Sequence, residues 1–171
     1  MTAPTEADLA AVSQQLGRPA RDVLAIAART RGGEPAVVAT APRLADGTPF
    51  PTFYYLTHPL LVAAISRLEA DGRMRELNAR LEVEPDLAAA YEAAHRAYLA
   101  DREAVAVVSE LAGVSAGGMP NRVKCLHALA AHALAAGRGV NPIGDLALRE
   151  AAAAEPAVEA AVGHWAAEGL L

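Results

Sequence analysis

Residues 36–57 read Ala36-Val-Val-Ala-Thr-Ala-Pro-Arg-Leu-Ala-Asp-Gly-Thr-Pro-Phe-Pro-Thr-Phe-Tyr-Tyr-Leu-Thr57. The run 36–40 is short, β-branched and bounded by prolines, which predicts a strand. The run 50–57 has the highest β propensity in the chain, and Pro51 confines it to a sheet edge or to a strand's first residue. Between them, Asp46-Gly47 is a strong local turn signal. Upstream, 22–29 (Asp-Val-Leu-Ala-Ile-Ala-Ala-Arg) fits either a helix after Pro19 or a strand. The Gly32-Gly33 turn and the strand that follows favour a strand. Three neighbouring strands predict a small antiparallel meander.

Beyond His58-Pro59 the apolar period changes to 3.6. Helices are expected over 60–70, 73–81 and 85–111, the last with Leu87, Tyr91, Ala94, Tyr98 and Val105 along it. Near the N-terminus, Thr5 and Asp8 resemble a capping box for a helix over 6–16 that stops at Gly17. Residues 113–119 read as a loop. Asn121 then starts a helix to Ala136, closed by Gly137 in the αL conformation. Asp145 is expected to cap a further alanine-rich helix, and Pro156 to open the last one, which contains Trp165. The fold class is α+β: about three antiparallel strands packed against a mainly helical bundle, as a single domain over 1–171.

Composition narrows the function classes. The chain has 171 residues, enough for a core. Hydrophobic residues are 53% and aromatics only 4%, so Leu, Val and Ala must build that core. Net charge is −5, which argues against a nucleic-acid binder. One cysteine, Cys125, excludes an internal disulfide and fits a reducing cytoplasm. The N-terminus lacks a signal-peptide pattern, and no run approaches a membrane span. The expected location is cytoplasmic, with neither nucleic acid nor membrane as partner.

The densest polar chemistry lies in 115–132, Ser115-Ala-Gly-Gly-Met-Pro-Asn-Arg-Val-Lys-Cys-Leu-His-Ala-Leu-Ala-Ala-His132. If Asn121 caps a helix, Arg122 and Lys124 sit beside its free N–H groups, where anions bind. The bland alternative is two solvated charges. Cys125 is either a small buried residue beside Leu129 or a nucleophile. His127 and His132 lie about 140° apart on a helix, not the i, i+4 pair of a zinc helix. No metal and no cofactor is expected. His58, at a strand end, either faces a ligand or caps the next helix. Tyr54 and Tyr55 point to opposite sheet faces, so only one of them, Tyr55 in this reading, can share a pocket with His58. Arg43 and Asp46 lie on a proline-stiffened loop suited to recognition or to a plain hairpin connection. Asn141, before Pro142, carries the same ambiguity. The common nucleotide, zinc-protease and serine-hydrolase signatures are absent.

Three blocks in order, 37–59, 115–127 and 139–145, resemble an actinobacterial family known as domain of unknown function 501. The resemblance spans about 16–148 and leaves the tail 149–171 outside it. It implies no established activity. Relatives often carry a Cys near the position of Thr30, which here is flanked by Arg29 and Arg31. A redox or metal pair of that Cys with Cys125 is therefore closed to this chain. Relatives' genes tend to lie near those for a septum-formation initiator and an exopolyphosphatase-like protein, which implies phosphate-rich ligands or cell-envelope physiology.

The leading expectation is a protein that binds a small phosphate- or carboxylate-bearing molecule. Its pocket would combine the His58 strand end with the helix start carrying Arg122, Lys124 and His127, and the binding set would add Arg43, Asp46, Tyr55 and Asn141. One alternative is a hydrolase or transferase using His58 or His127, with Cys125 as a candidate nucleophile. The other is a helical interaction module linked to cell division or envelope physiology, with a homo-oligomer formed through the helix that begins at Pro85.

Overall fold

The Thr5 hydroxyl accepts the Asp8 N–H at 3.1 Å while the Asp8 carboxylate accepts the Thr5 N–H at 3.0 Å. This reciprocal cap starts α1 (Glu6–Leu16), which Gly17 ends in the αL conformation. In this computed structural model, which describes residues 1–163, a three-stranded antiparallel sheet follows. Its strands are β1 (Val23–Arg29), β2 (Pro35–Thr40) and β3 (Tyr54–Leu56), in that order across the sheet. Ile26 faces Val38, and Val38 faces Tyr55. The remaining elements are α2 (Pro59–Ala70), α3 (Arg73–Val83), α4 (Pro85–Glu103), α5 (Leu126–Ala136), α6 (Pro142–Ala154) and α7 (Pro156–Val162). The fold is α+β, as expected, and 22–29 takes the strand conformation. Trp165 lies outside the described residues.

All six residues of β2 are buried. The central strand is covered on both faces, which suits its β-branched run. Val12 of α1 packs on Ile26 and Val38 from one side. Val37 and Ala39 face the main core with α5. Eight of the eleven residues of α5 are buried, because the sheet, α2 and α6 all pack on it. A helix apolar all round belongs at the centre of a fold.

Four boundaries differ from the sequence expectation, and side chains from other segments or turns decide the first two. The third strand is only Tyr54–Leu56, since the Tyr98 hydroxyl accepts the N–H of Phe53 at 2.6 Å and of Tyr54 at 3.3 Å. The helix α4 ends at Glu103 rather than near 111, and Val105 is exposed beyond it. There the buried Arg102 donates to the carbonyls of Leu111 and Val114 at 2.8 and 2.5 Å and turns the chain back. The cap of α6 is Asn141, whose Oδ1 accepts the Gly144 N–H at 2.9 Å, and Asp145 instead accepts the Gly139 N–H. Gly137 has φ 105° and ψ 158°, outside the αL region.

His132 is fully buried. Its ring stacks on Tyr54 at 5.7 Å and meets Tyr98 edge-on at 5.1 Å. The Asn141 amide lies 3.1 Å from its Nδ1. Burial pushes its pKa down to about 4, so the folded state holds it neutral. The unfolded chain then binds a proton that the folded chain refuses between its ordinary value of 6.5 and about 4. Stability from this group is intact above that window and falls as the pH drops through it.

Two outcomes follow from this packing. A Cβ on Gly144 would lie 2.1 Å from the Leu129 carbonyl oxygen. Gly144→Ala is expected to cost about 1–3 kcal/mol by overpacking, read as a lower urea midpoint. His132→Phe leaves the Asn141 amide only the Met119 sulfur at 3.5 Å, at a cost of about 1–3 kcal/mol at pH 7. It should also lose less stability than the parent between pH 7 and pH 5, measured by urea melts at both.

Candidate functional site

The segment expected to begin a helix at Asn121 is instead a loop, and α5 starts at Leu126. The reason is a set of side-chain clamps on its backbone. Asn78 of α3 accepts the Val123 N–H at 2.8 Å and donates to the Val123 carbonyl at 2.9 Å. The Tyr91 hydroxyl donates to the Arg122 carbonyl at 3.1 Å. The Gly117 carbonyl accepts the Lys124 N–H at 2.7 Å, and the Gly118 carbonyl accepts the Arg122 N–H at 3.1 Å. Groups that a helix would pair internally are thus spent on tertiary contacts. Gly118 has φ 94°, and a Cβ there would sit 2.5 Å from the Arg122 carbonyl oxygen, so only glycine lets the loop close on itself. The Met119–Pro120 peptide in this loop is cis.

The clamped loop forms one wall of a cleft of about 920 Å³. Tyr54, Tyr55 and Val62 face it from the sheet and α2, and Arg122, Lys124, Cys125 and His127 from the loop and the start of α5. Arg122 and Lys124 are exposed at this cleft, on irregular backbone before the helix rather than at its start. Neither forms an ion pair among the described residues.

Deeper in the site, Glu69 of α2 reaches the start of α5. Its Oε1 accepts the Leu126 N–H at 2.6 Å and lies 3.1 Å from His127 Nδ1. The other His127 nitrogen, Nε2, is 3.2 Å from the Val62 carbonyl and 3.1 Å from the Ser66 hydroxyl. A carbonyl only accepts, so Nε2 carries a hydrogen. Cys125, the residue before the helix, is half-buried beside His127. Donor atoms of Glu69, Cys125 and His127 all lie within 4.8 Å of one another. The neighbouring Cys125 holds the His127 pKa up, to about 9, against its burial, with help from Glu69. Burial raises the Cys125 thiol, but His127 and the Ala128 N–H outweigh it, and the net direction is down. Each shift favours the charged form of its own group.

Other expected site residues lie elsewhere. His58 precedes α2 without capping it by its side chain. Its Nε2 is 3.3 Å from Glu34, its Nδ1 is buried without a partner, and it does not line the cleft. A pocket joining His58 to Arg122 and His127 is therefore not formed. Arg43 is bound by both Glu110 oxygens at 2.7 Å and by the Gly47 carbonyl at 2.8 Å. Asp46 accepts the Thr48 N–H at 2.9 Å and lines a second, smaller cleft of about 330 Å³ with Arg18 and Arg21. Asn141 is fully buried and serves α6 and His132. Tyr54 is buried and Tyr55 exposed, as the strand alternation requires, yet both reach the large cleft. Cys125 does not share a helix face with His132, because it precedes the helix. Sequence reasoning missed Glu69, Asn78 and Arg102. Each is an ordinary polar residue on a polar helix stretch, and no local signal marks it.

Glu69 does the work of an N-cap that Cys125 leaves undone. Glu69→Ala is expected to cost about 1 kcal/mol by leaving the Leu126 N–H without its acceptor. Glu69→Gln, which keeps an oxygen there, should cost less. Thermal melts of the two variants check this order.

No curated protein matches the chain, and no solved structure does. Among the described residues no helix is long and apolar enough to cross a membrane. Residues 26–149 match the family described as "Protein of unknown function (DUF501)". The match begins at Ile26 rather than near Leu16, and takes in the three blocks and the clamped loop between Gly113 and Cys125. The chain belongs to the DUF501 family.

Proposed function

We propose that the protein binds a small molecule bearing a phosphate or carboxylate group in the large cleft. The observation that carries this reading is the pair Arg122 and Lys124. Both line the cleft, and neither is neutralised by an acidic side chain among the described residues. The basic side chains Arg29, Arg43, Arg67, Arg73, Arg80 and Arg96 have carboxylate partners, and none of these six lines the cleft. The chain as a whole is acidic, so a local cationic mouth favours an anion over a neutral molecule. The clamps on the loop prepay its ordering, so little entropy is lost when a ligand docks. The apolar wall of Tyr54, Val62 and Met119 suits an organic body behind the anionic group.

Calorimetric titration with inorganic phosphate, pyrophosphate and citrate tests the proposal. Binding of at least one is expected, weakened by low hundreds of millimolar salt. Each charge-assisted contact is worth about 1.5–3 kcal/mol, so an Arg122→Ala, Lys124→Ala double variant should bind at least about 100-fold more weakly. Equal affinity in that variant would sink the reading.

A further inference from the structure

The geometry points to a metal site: Glu69, Cys125 and His127 hold one divalent transition ion of the zinc class on the wall of the cleft, with a coordination position open to a ligand. The three side chains bring a carboxylate oxygen, a sulfur and an imidazole nitrogen within 4.8 Å of one another. Tetrahedral bonds of about 2.0–2.3 Å place donors about 3.3–3.8 Å apart, so the set closes on an ion with small side-chain shifts. Thiolate and imidazole together select zinc-like ions over magnesium or calcium.

The surroundings of His127 are those of a ligand. Its Nε2–H is directed to the Val62 carbonyl and the Ser66 hydroxyl, which leaves Nδ1 facing the Glu69 carboxylate at 3.1 Å. Metal-bound histidines are oriented in this way by an acceptor on the far nitrogen. Two electron-pair donors face one another at Nδ1 and Oε1, and a proton or a metal ion must lie between them. The Oε2 atom of Glu69 takes no hydrogen bond from the described residues and is free for an ion. The ion displaces the proton at Nδ1 and the thiol proton, and both pass to solvent.

Three protein ligands leave the fourth position unfilled, the arrangement of reactive rather than structural zinc. Cys125 and His127 both line the cleft, so that position opens toward Arg122 and Lys124. The site rests on donor geometry and not on the anion reading, although an anionic group in the cleft would complete the coordination.

Cobalt(II) titration of the full chain, stripped with a chelator, tests the site. One equivalent is expected to give a thiolate-to-cobalt band in the near ultraviolet together with tetrahedral visible bands. Cys125→Ser and His127→Ala should abolish the thiolate band or the tetrahedral spectrum. Glu69→Gln, which keeps the oxygen facing Leu126, should weaken cobalt by about tenfold or more. Zinc at one equivalent should slow alkylation of Cys125 by iodoacetamide in the parent protein, a readout that needs no variant. The Arg122→Ala, Lys124→Ala double variant should keep the cobalt spectrum. An intact spectrum without phosphate binding would therefore remove the anion reading and leave the metal site standing. Absence of the thiolate band in the parent protein, or alkylation at the same rate with and without zinc, would overturn the metal site and mark Cys125 as a free thiol.

Discussion

The crossing of α5 over α6 sets the rest of the structure. At that crossing the Leu129 carbonyl occupies the space where a side chain of Gly144 would begin. The alanines of α5 allow the same closeness on its other sides, so the sheet and α2 also reach the helix backbone. Leu and Val side chains then fill the remaining gaps, and a core is built with few aromatic residues. Three of the aromatic residues gather round one histidine. Phe53, Tyr54, Tyr98 and His132 pack together between the end of the sheet and α5.

A central helix needs its first N–H groups satisfied, and here the satisfaction comes from another element. The Glu69 carboxylate takes the Leu126 N–H and at the same time faces His127. One side chain thereby links the stability of α5 to the chemistry of the cleft. The loop before α5 is treated in the same manner. Asn78, Tyr91 and Arg102 bond its backbone from α3 and α4 and hold it out of the helix. The consequence is that Arg122 and Lys124 stand at the cleft as side chains on a stiff loop. Their positive charges act there without the dipole of a helix start.

Much of the fold was legible locally. The capping box of α1, the strand character of 22–29 and 36–40, and the prolines that open α2, α4 and α7 are all signals within a few residues, and each element appears where they place it. The α4 end, the short β3 and the late start of α5 were not legible. In each case a side-chain bond decides the boundary: Arg102 at the end of α4 itself, and the distant Tyr98 and Asn78 at β3 and before α5. The candidate site divides likewise. Arg122, Lys124, Cys125 and His127 stand out in a chain of alanine helices, whereas Glu69 is one carboxylate among many until α2 lies against α5. His58 was drawn in by its place at a strand end, but its ring is turned to Glu34 and away from the cleft.

By itself, then, the sequence determined the element types, the α+β class, the family and the loop that carries the chemistry. These depend on periodicity, capping and turn residues, which act over one or two turns of chain. Only the tertiary structure decided which residues meet. The approach of Glu69 to Cys125 and His127 spans 56 and 58 positions of chain, from 69 to 125 and from 69 to 127. Such contacts are created by the packing of α2 on α5, and no local preference of either segment encodes them.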